Sequence, residues 1–269
     1  MKIKDITDKI LAYHPALPDD RASCDGYKCG NPEDECTGIV TSVAASVDVI
    51  RKTAELGANL LIVHEPAFYT HFDKTGWLEN NEVYQEKADL LKKHGIAIWR
   101  DHDRIHAHRP DGIHQGTMVE LGWEDYFVRA EHGFFRIFKL PKTTVRELSL
   151  YLKEKLGLNG VRVIGNIDAE ISTVAFVGHI YNPPEERPTM FANDNDIDVL
   201  IPGELIDWTT ASYMRDAGQL GKNKAILNIG HMNTEELGMK WAVNWIGELI
   251  DHKLPVTFVR SADMYQYIF

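Results

Sequence analysis

The chain has little that would anchor, staple or export it. No apolar run approaches the roughly 18–20 residues needed to span a bilayer. Met1 to Ile10 mixes Lys, Asp and apolar residues without the continuous apolar stretch of a secretory signal. A cytoplasmic protein without a membrane partner is expected. Cysteine is scarce and odd in number: Cys24, Cys29 and Cys36 cannot all pair internally, so reduced thiols are the simplest reading. Their spacing, Cys-x4-Cys-x6-Cys, is wider than common zinc pairs, and plain thiols in a loop are expected. Basic excess is missing too. The net charge is −11 at pH 7, which argues against a nucleic-acid partner because phosphate neutralisation supplies most of that affinity. There is no Gly-x4-Gly-Lys-Ser/Thr loop, so any nucleotide would be held without a P-loop. Low-complexity segments and short-period repeats are also lacking.

What is present describes an ordinary globular chain. Its 269 residues, 44% hydrophobic and 26% charged, supply a normal core without staples. Asp5 to Tyr13 reads as an amphipathic helix, and the Gly-, Cys-, Asp- and Pro-rich stretch Asp20 to Asp34 as a loop. Strands are expected at Gly38 to Ala44, Asn59 to Val63 and Ile96 to Trp99. Helices fall between them, one capped by Ser46 and one running from Glu82 to His94. The second half repeats the style. Strands are expected at Phe134 to Leu140, Val161 to Ile164, Val174 to Val177, Asp198 to Ile201, Ala225 to Ile229 and Val256 to Val259. Thr144-x-x-Glu147 is a capping box that opens a helix closed by Gly157. Thr209 to Ala217 and Asn233 to Ile250 complete the helices. This alternation predicts an α/β protein of two similar halves, with mixed, mostly parallel sheets. The halves divide as residues 1–128 and 129–269, or intertwine as one domain.

Three segments carry ligand-type side chains directly after predicted buried strands, where open α/β sheets form their sites. The first is His64-Glu65-Pro66, in which Pro66 holds Glu65 extended. The second runs from Trp99 to His114 and contains four histidines; His102 and His106 share a face if the segment makes a helical turn. The third is Gly230-His231-Met232-Asn233-Thr234-Glu235, a tight turn into a helix that Asn233 could cap. Each also fits a plainer reading: a polar strand end, a solvated His-rich loop, or a carboxylate serving a helix dipole.

Together the three segments resemble the Nif-three-like dinuclear-metal family, also known as type 2 GTP cyclohydrolase I, over most of the chain. That family has His-His-Pro after an early strand, His-Thr-x-x-Asp after a second, and Gly-His-x-x-(Ser/Thr)-Glu near the C-terminus. Here they stand as His64-Glu65-Pro66, His102-Asp103-Arg104-Ile105-His106 and Gly230 to Glu235. Gly203-Glu204 resembles a family Gly-Glu pair, Asp25-Gly26-Tyr27 echoes an early motif, and Gly178-His179 places one more imidazole near the pocket. A family Asp aligns with Ala44 and is lost. The family's five ligands comprise three His and two carboxylates. The resemblance implies the same composition here, from His64, Glu65, His106, His231 and Glu235, with the residue types exchanged at 65 and 106.

The resemblance further implies two divalent transition-metal ions per chain, of Zn, Fe, Mn, Co or Ni type, since imidazole and carboxylate ligands suit them. It implies His102 as a non-ligating catalytic proton carrier and a hydrolytic reaction on a small-molecule substrate such as a nucleotide. A ring-shaped homohexamer is implied as well. The alternative is a non-enzymatic metal-binding or protein-interaction factor.

Overall fold

The computed structural model describes residues 1–131, 135–180 and 197–268. The chain divides into two compact units. Unit 1 comprises Met1–Glu120 and Glu235–Ser261; unit 2 comprises Leu121–Thr234 and Ala262–Phe269.

Unit 1 is built on a five-stranded sheet of order β1-β4-β3-β2-β11, with β1 at Gly26–Cys29, β2 at Ile39–Ser42, β3 at Leu60–Val63, β4 at Ala97–Arg100 and β11 at Val256–Phe258. The β11-β2, β2-β3 and β3-β4 pairings are parallel, and β1 runs antiparallel to β4. Every residue of β2, β3 and β4 is buried. Strands covered on both faces need such unbroken burial. On one face, Ile39, Leu60 and Ile62 pack with Ile3, Ile6 and Ile10 of α1 (Ile3–Tyr13) and with Trp245 and Ile246 of the C-terminal helix. On the other, Val40, Leu61 and Val63 meet Val49 and Ile50 of α2 (Val47–Glu55) and Leu91 of α3 (Glu82–Lys93). Each enclosed aliphatic side chain contributes roughly 1.5–3 kcal/mol relative to exposure. Ser46 caps α2 as expected, its Oγ accepting from the Val49 amide at 3.2 Å.

Two short helices follow β4: α4 at Asp103–Ala107 and α5 at Gly112–Glu120. The sequence reading identified the helical turn only as an option and missed α5. The expected loop from Asp20 to Asp34 is also corrected, because it contains β1. Pairing overrides local propensity there: Gly26 and Tyr27 sit opposite Arg100 and Trp99, and the Tyr27 ring packs edge-on against Trp99 at 4.8 Å. Cys29 therefore lies in a strand. All three cysteines are free thiols.

Unit 2 holds a six-stranded sheet of order β5-β6-β8-β9-β10-β7. The strands are β5 (Phe127–Glu131), β6 (Phe135–Thr144), β7 (Arg162–Gly165), β8 (Glu170–Val177), β9 (Val199–Pro202) and β10 (Ala225–Asn228). β8, β9 and β10 are parallel neighbours, whereas the β5-β6, β6-β8 and β10-β7 pairings are antiparallel. The sheet is thus mixed and less parallel than that of unit 1. The capping box forms as read: Thr144 Oγ1 accepts from the Glu147 amide at 3.2 Å while Glu147 Oε2 accepts from the Thr144 amide at 2.9 Å. It opens α6 (Val145–Leu156), which Gly157 closes in the left-handed conformation at φ 60°. Phe135, Ile137, Ala175, Leu200 and Ile226 pack with Ala211 and Met214 of α7 (Thr210–Gln219). Phe134, expected to begin β6, lies outside the described residues.

The last helix, α8, spans His231–Leu249 and begins two residues before the expected Asn233. Asn233 does not cap it. Its Nδ2 instead donates back to the Ile229 carbonyl at 2.6 Å. Among the described residues no helix is long and apolar enough to cross a membrane.

Candidate metal centre

In unit 1, His64 and Glu65 leave β3 while Asp101 and His102 leave the adjacent parallel β4, so both pairs emerge at the same carboxyl edge. His64 is completely buried. Its Nδ1 lies 2.9 Å from the Asp101 carbonyl oxygen. A carbonyl can only accept, so Nδ1 carries the proton and Nε2 presents a lone pair. His106, on α4, is set the same way: its Nδ1 donates to Asp111 Oδ2 at 2.8 Å. The two Nε2 atoms then face one another at 3.1 Å. Two such lone pairs repel unless a proton or cation lies between them.

Glu235 supplies the third group. Its carboxylate is 3.3 Å from His64 Nε2 and 3.8 Å from His106 Nε2. Four-coordinate zinc with ligand bonds near 2.0–2.1 Å separates its ligand atoms by about 3.3 Å. The observed spacings fit that frame. So does the outer arrangement, because metal-ligating imidazoles characteristically give their other N–H to a carbonyl or carboxylate. Glu65 joins this set, with one ligand atom each from His64, Glu65 and Glu235 lying within 4.8 Å of one another.

Electrostatics agree with the geometry. Burial disfavours a charged His64, but Glu235, hydrogen-bonded beside it, and Glu65 outweigh burial and raise its pKa to about 9. The spot calls for positive charge. His102 behaves in the opposite way. Burial, then the neighbouring His64 and His106, lower it to about 3, so it is neutral at physiological pH. Its ring stacks on His64 at 4.6 Å, and its Nδ1 sits 3.2 Å from Asp103 Oδ1. It also offers a ligand nitrogen to the His64, His102 and His106 group.

The sequence does not show how this centre is supported, although Asp25 stands in the echoed early motif. Asp25 lies far away in the chain, yet it caps α4: its Oδ1 accepts from the His102 and Asp103 amides at 2.8 and 2.7 Å, and its Oδ2 from the Arg104 amide at 3.1 Å. That fixes the turn from which His106 projects. Asp103 returns the bond, accepting from the Cys24 amide at 2.8 Å. Its carboxyl pKa is strongly lowered: burial opposes this, but that amide, His102 and Ser23 prevail. Arg100 is wholly buried; its Nε donates to the His64 carbonyl at 2.9 Å, and its Nη1 donates to the His71 carbonyl. Its Nη2 stands 3.7 Å from Glu65 Oε2. Buried His14 holds Asp101 at 3.0 Å. Cys24 sits near His102 and Asp103, but burial pushes its thiol up to about 12, so it is no thiolate by itself.

His231 belongs to unit 2, where it gathers with His179 and Glu204. Its Nδ1 is 2.7 Å from Glu204 Oε1, and His179 Nδ1 contacts Glu204 Oε2. The imidazole rings stack within 7° of parallel, centroids 5.3 Å apart. Burial works against charge on Glu204, but the two imidazoles hold its pKa down at about 2.

A two-sheet α/β fold with imidazole and carboxylate groups gathered past its strand ends defines a class of candidate metal-binding proteins. Residues 1–264 match the Duf34/NIF3 (NGG1p interacting factor 3) family, and the chain belongs to it. A Clostridium perfringens relative named GTP cyclohydrolase 1 type 2 homolog is 26% identical over 87% of each chain. A Chlamydia pneumoniae relative of the same name is 24% identical over 88% of this chain and 89% of its own. Among solved structures, a Staphylococcus aureus protein shares the fold with a TM-score of 0.73 at 18% identity, covering 100% of this chain and 99% of its own. A Bacillus cereus protein related to NIF3 does so at 0.72 and 16% identity, with the same coverage.

Proposed function

We propose that this chain is a metal-dependent hydrolase resembling type 2 GTP cyclohydrolase I, with a metal centre on His64, His106 and Glu235 and with Glu65 beside them. The supporting observation is the convergence of His64 Nε2 and His106 Nε2 at 3.1 Å, flanked by Glu235, with each imidazole's second nitrogen already committed. The family likeness supports two divalent transition-metal ions per chain, a small-molecule substrate such as a nucleotide, a homohexamer and a cytoplasmic setting. When bound, a divalent ion there would supply Lewis-acid chemistry and acidify a water.

The residues would divide the remaining work. His64 and His106 would hold position through Asp101 and Asp111. His102, neutral and with Asp103 beside its Nδ1, would be the proton carrier, a role that requires bound substrate to raise its basicity well above that of the free protein. Arg100 would pair with Glu65 and keep the strand end in place. The acidic chain and the lack of a P-loop favour a substrate held by its reacting group more than by its phosphates.

A second reading keeps the metal and drops the reaction. The complete burial of His64 supports it, because an enclosed ligand is screened from a substrate. Turnover of GTP and a panel of phosphoesters by metal-loaded protein separates the two. The hydrolase reading expects turnover that falls by at least about 100-fold in His106→Ala. Metal-loaded protein that turns over none of these substrates would leave the non-enzymatic reading.

A further inference from the structure

Asp25 stands immediately before β1, and the pairing of β1 with β4 brings its carboxylate to the start of α4. Its side chain is only 3% exposed. A single oxygen, Oδ1, accepts from two successive amides, that of His102 at 2.8 Å and that of Asp103 at 2.7 Å. Each amide belongs to a peptide group whose carbonyl serves a proposed metal ligand. The Asp101–His102 peptide offers its carbonyl oxygen to His64 Nδ1 at 2.9 Å. The His102–Asp103 peptide offers its own to the His106 amide at 3.2 Å. A trans peptide points its N–H and C=O in opposite directions. Asp25 therefore grips the two peptides from one side while His64 and His106 hang from the other. A helix cap needs only the free amides of the first turn, so capping alone does not call for a carbonyl on a ligand's imidazole.

We propose that Asp25 is a positioning residue for the metal centre, which acts through two peptide groups on His64 and His106. Negative charge beside an N–H polarises the peptide and leaves more electron density on its carbonyl oxygen. The Asp101 oxygen then accepts more strongly from His64 Nδ1–H, and Nε2 becomes the better electron-pair donor. Metal-ligating imidazoles commonly give their second N–H to a carboxylate. Here one peptide is inserted between the carboxylate and the ring. Burial keeps the charge from being screened. Arg104 Nη1 draws on the other oxygen, Oδ2, at 3.1 Å and leaves Oδ1 to the two amides. The inference takes its purpose from the proposed unit 1 centre, but the relay itself needs no ion.

The test uses the full chain with ¹⁵N-labelled histidine, as wild type, Asp25→Asn, Arg104→Gln and His64→Gln, each checked for folding by its melting curve. Asn caps a helix about as well as Asp, so Asp25→Asn keeps the turn and removes the charge. In metal-free protein, the Nδ1–H proton of His64 is assigned by its loss in His64→Gln. Asp25→Asn is expected to move that resonance upfield. In a Co(II) titration after stripping with chelator, Asp25→Asn is expected to bind about tenfold more weakly, the lower end for a lost outer partner because a peptide intervenes. The visible Co(II) band shifts with it. Arg104→Gln keeps both readings near wild type. If Asp25→Asn leaves the His64 resonance in place, or binds Co(II) like wild type, Asp25 is a helix cap only and the inference is overturned. The same follows if Arg104→Gln reproduces both changes, since that marks a general loosening of the turn. Failure of the unit 1 reading looks different: wild type takes up no Co(II), or His64→Gln titrates like wild type. The proton resonance then decides the relay by itself. Should Asp25→Asn not fold, Asp25→Ser, another uncharged cap, carries the same decision.

Discussion

His64 and His179 are both imidazoles placed just past the end of a buried strand, yet one is fully enclosed and the other has 44% of its side chain in solvent. The difference lies in what surrounds them. In unit 1, Asp25, Asp101, Asp111 and Arg100 each fix a ligand or the backbone that bears it. In unit 2, one carboxylate aligns two imidazoles. Enclosure strengthens electrostatics and makes mis-set groups costly. A buried cluster therefore needs many supports, whereas a half-exposed one needs few.

The largest contrast is expected in acid. In metal-free protein, His102 has a folded pKa near 3 against 6.5 unfolded, so its contribution is present above 6.5 and is lost as pH falls toward 3. The slope is on the order of 1.4 kcal/mol per pH unit. Glu204, lowered from 4.5 to about 2, contributes above 4.5 and loses that contribution only below it. Between pH 6.5 and 4.5 the loss of stability falls on imidazoles whose pKa burial lowers, His102 and to a lesser degree His108, and not on Glu204. Urea unfolding across this range checks it: His102→Gln should flatten the slope and Glu204→Gln should not. Equal flattening by both would erase the distinction between the clusters. On the alkaline side, His64 is raised from 6.5 to about 9, so its contribution is full below 6.5 and is lost as pH rises through 9.

A smaller effect is expected at Asp25. Asp25→Ala removes the cap of α4 and should cost about 1–2 kcal/mol in urea unfolding. It should also weaken Co(II) binding at His64 and His106. Unchanged Co(II) binding beside that loss of stability would show that the cap supports the fold and not the centre.

Much of this was legible in the sequence because it is local. The apolar run Leu60 to Val63 followed by His64-Glu65-Pro66 announces a buried strand ending in ligands. Thr144-x-x-Glu147 and Gly157 announce the limits of α6. The contacts that could not be read are those made across the chain. Asp25 meets residues 77 to 79 positions away, and a Gly-, Cys- and Asp-rich stretch becomes a strand only because β4 pairs with it. The strand order of unit 2 was hidden for the same reason: the pattern of β7 shows a strand, not the edge it joins. Glu204 had a visible signal in the Gly-Glu pair, but its grip on two imidazoles depends on the order β8-β9-β10.

The central claim is that His64 and His106 converge with Glu235 to hold a metal. Elemental analysis of full-length protein after dialysis, for wild type beside His106→Ala and Glu235→Gln, tests it most directly. Wild type should retain transition metal at about one equivalent or more per chain, and each variant should lose at least about one equivalent or bind it roughly 10–100-fold more weakly. Wild type without transition metal, or variants that retain all of it, would contradict the account.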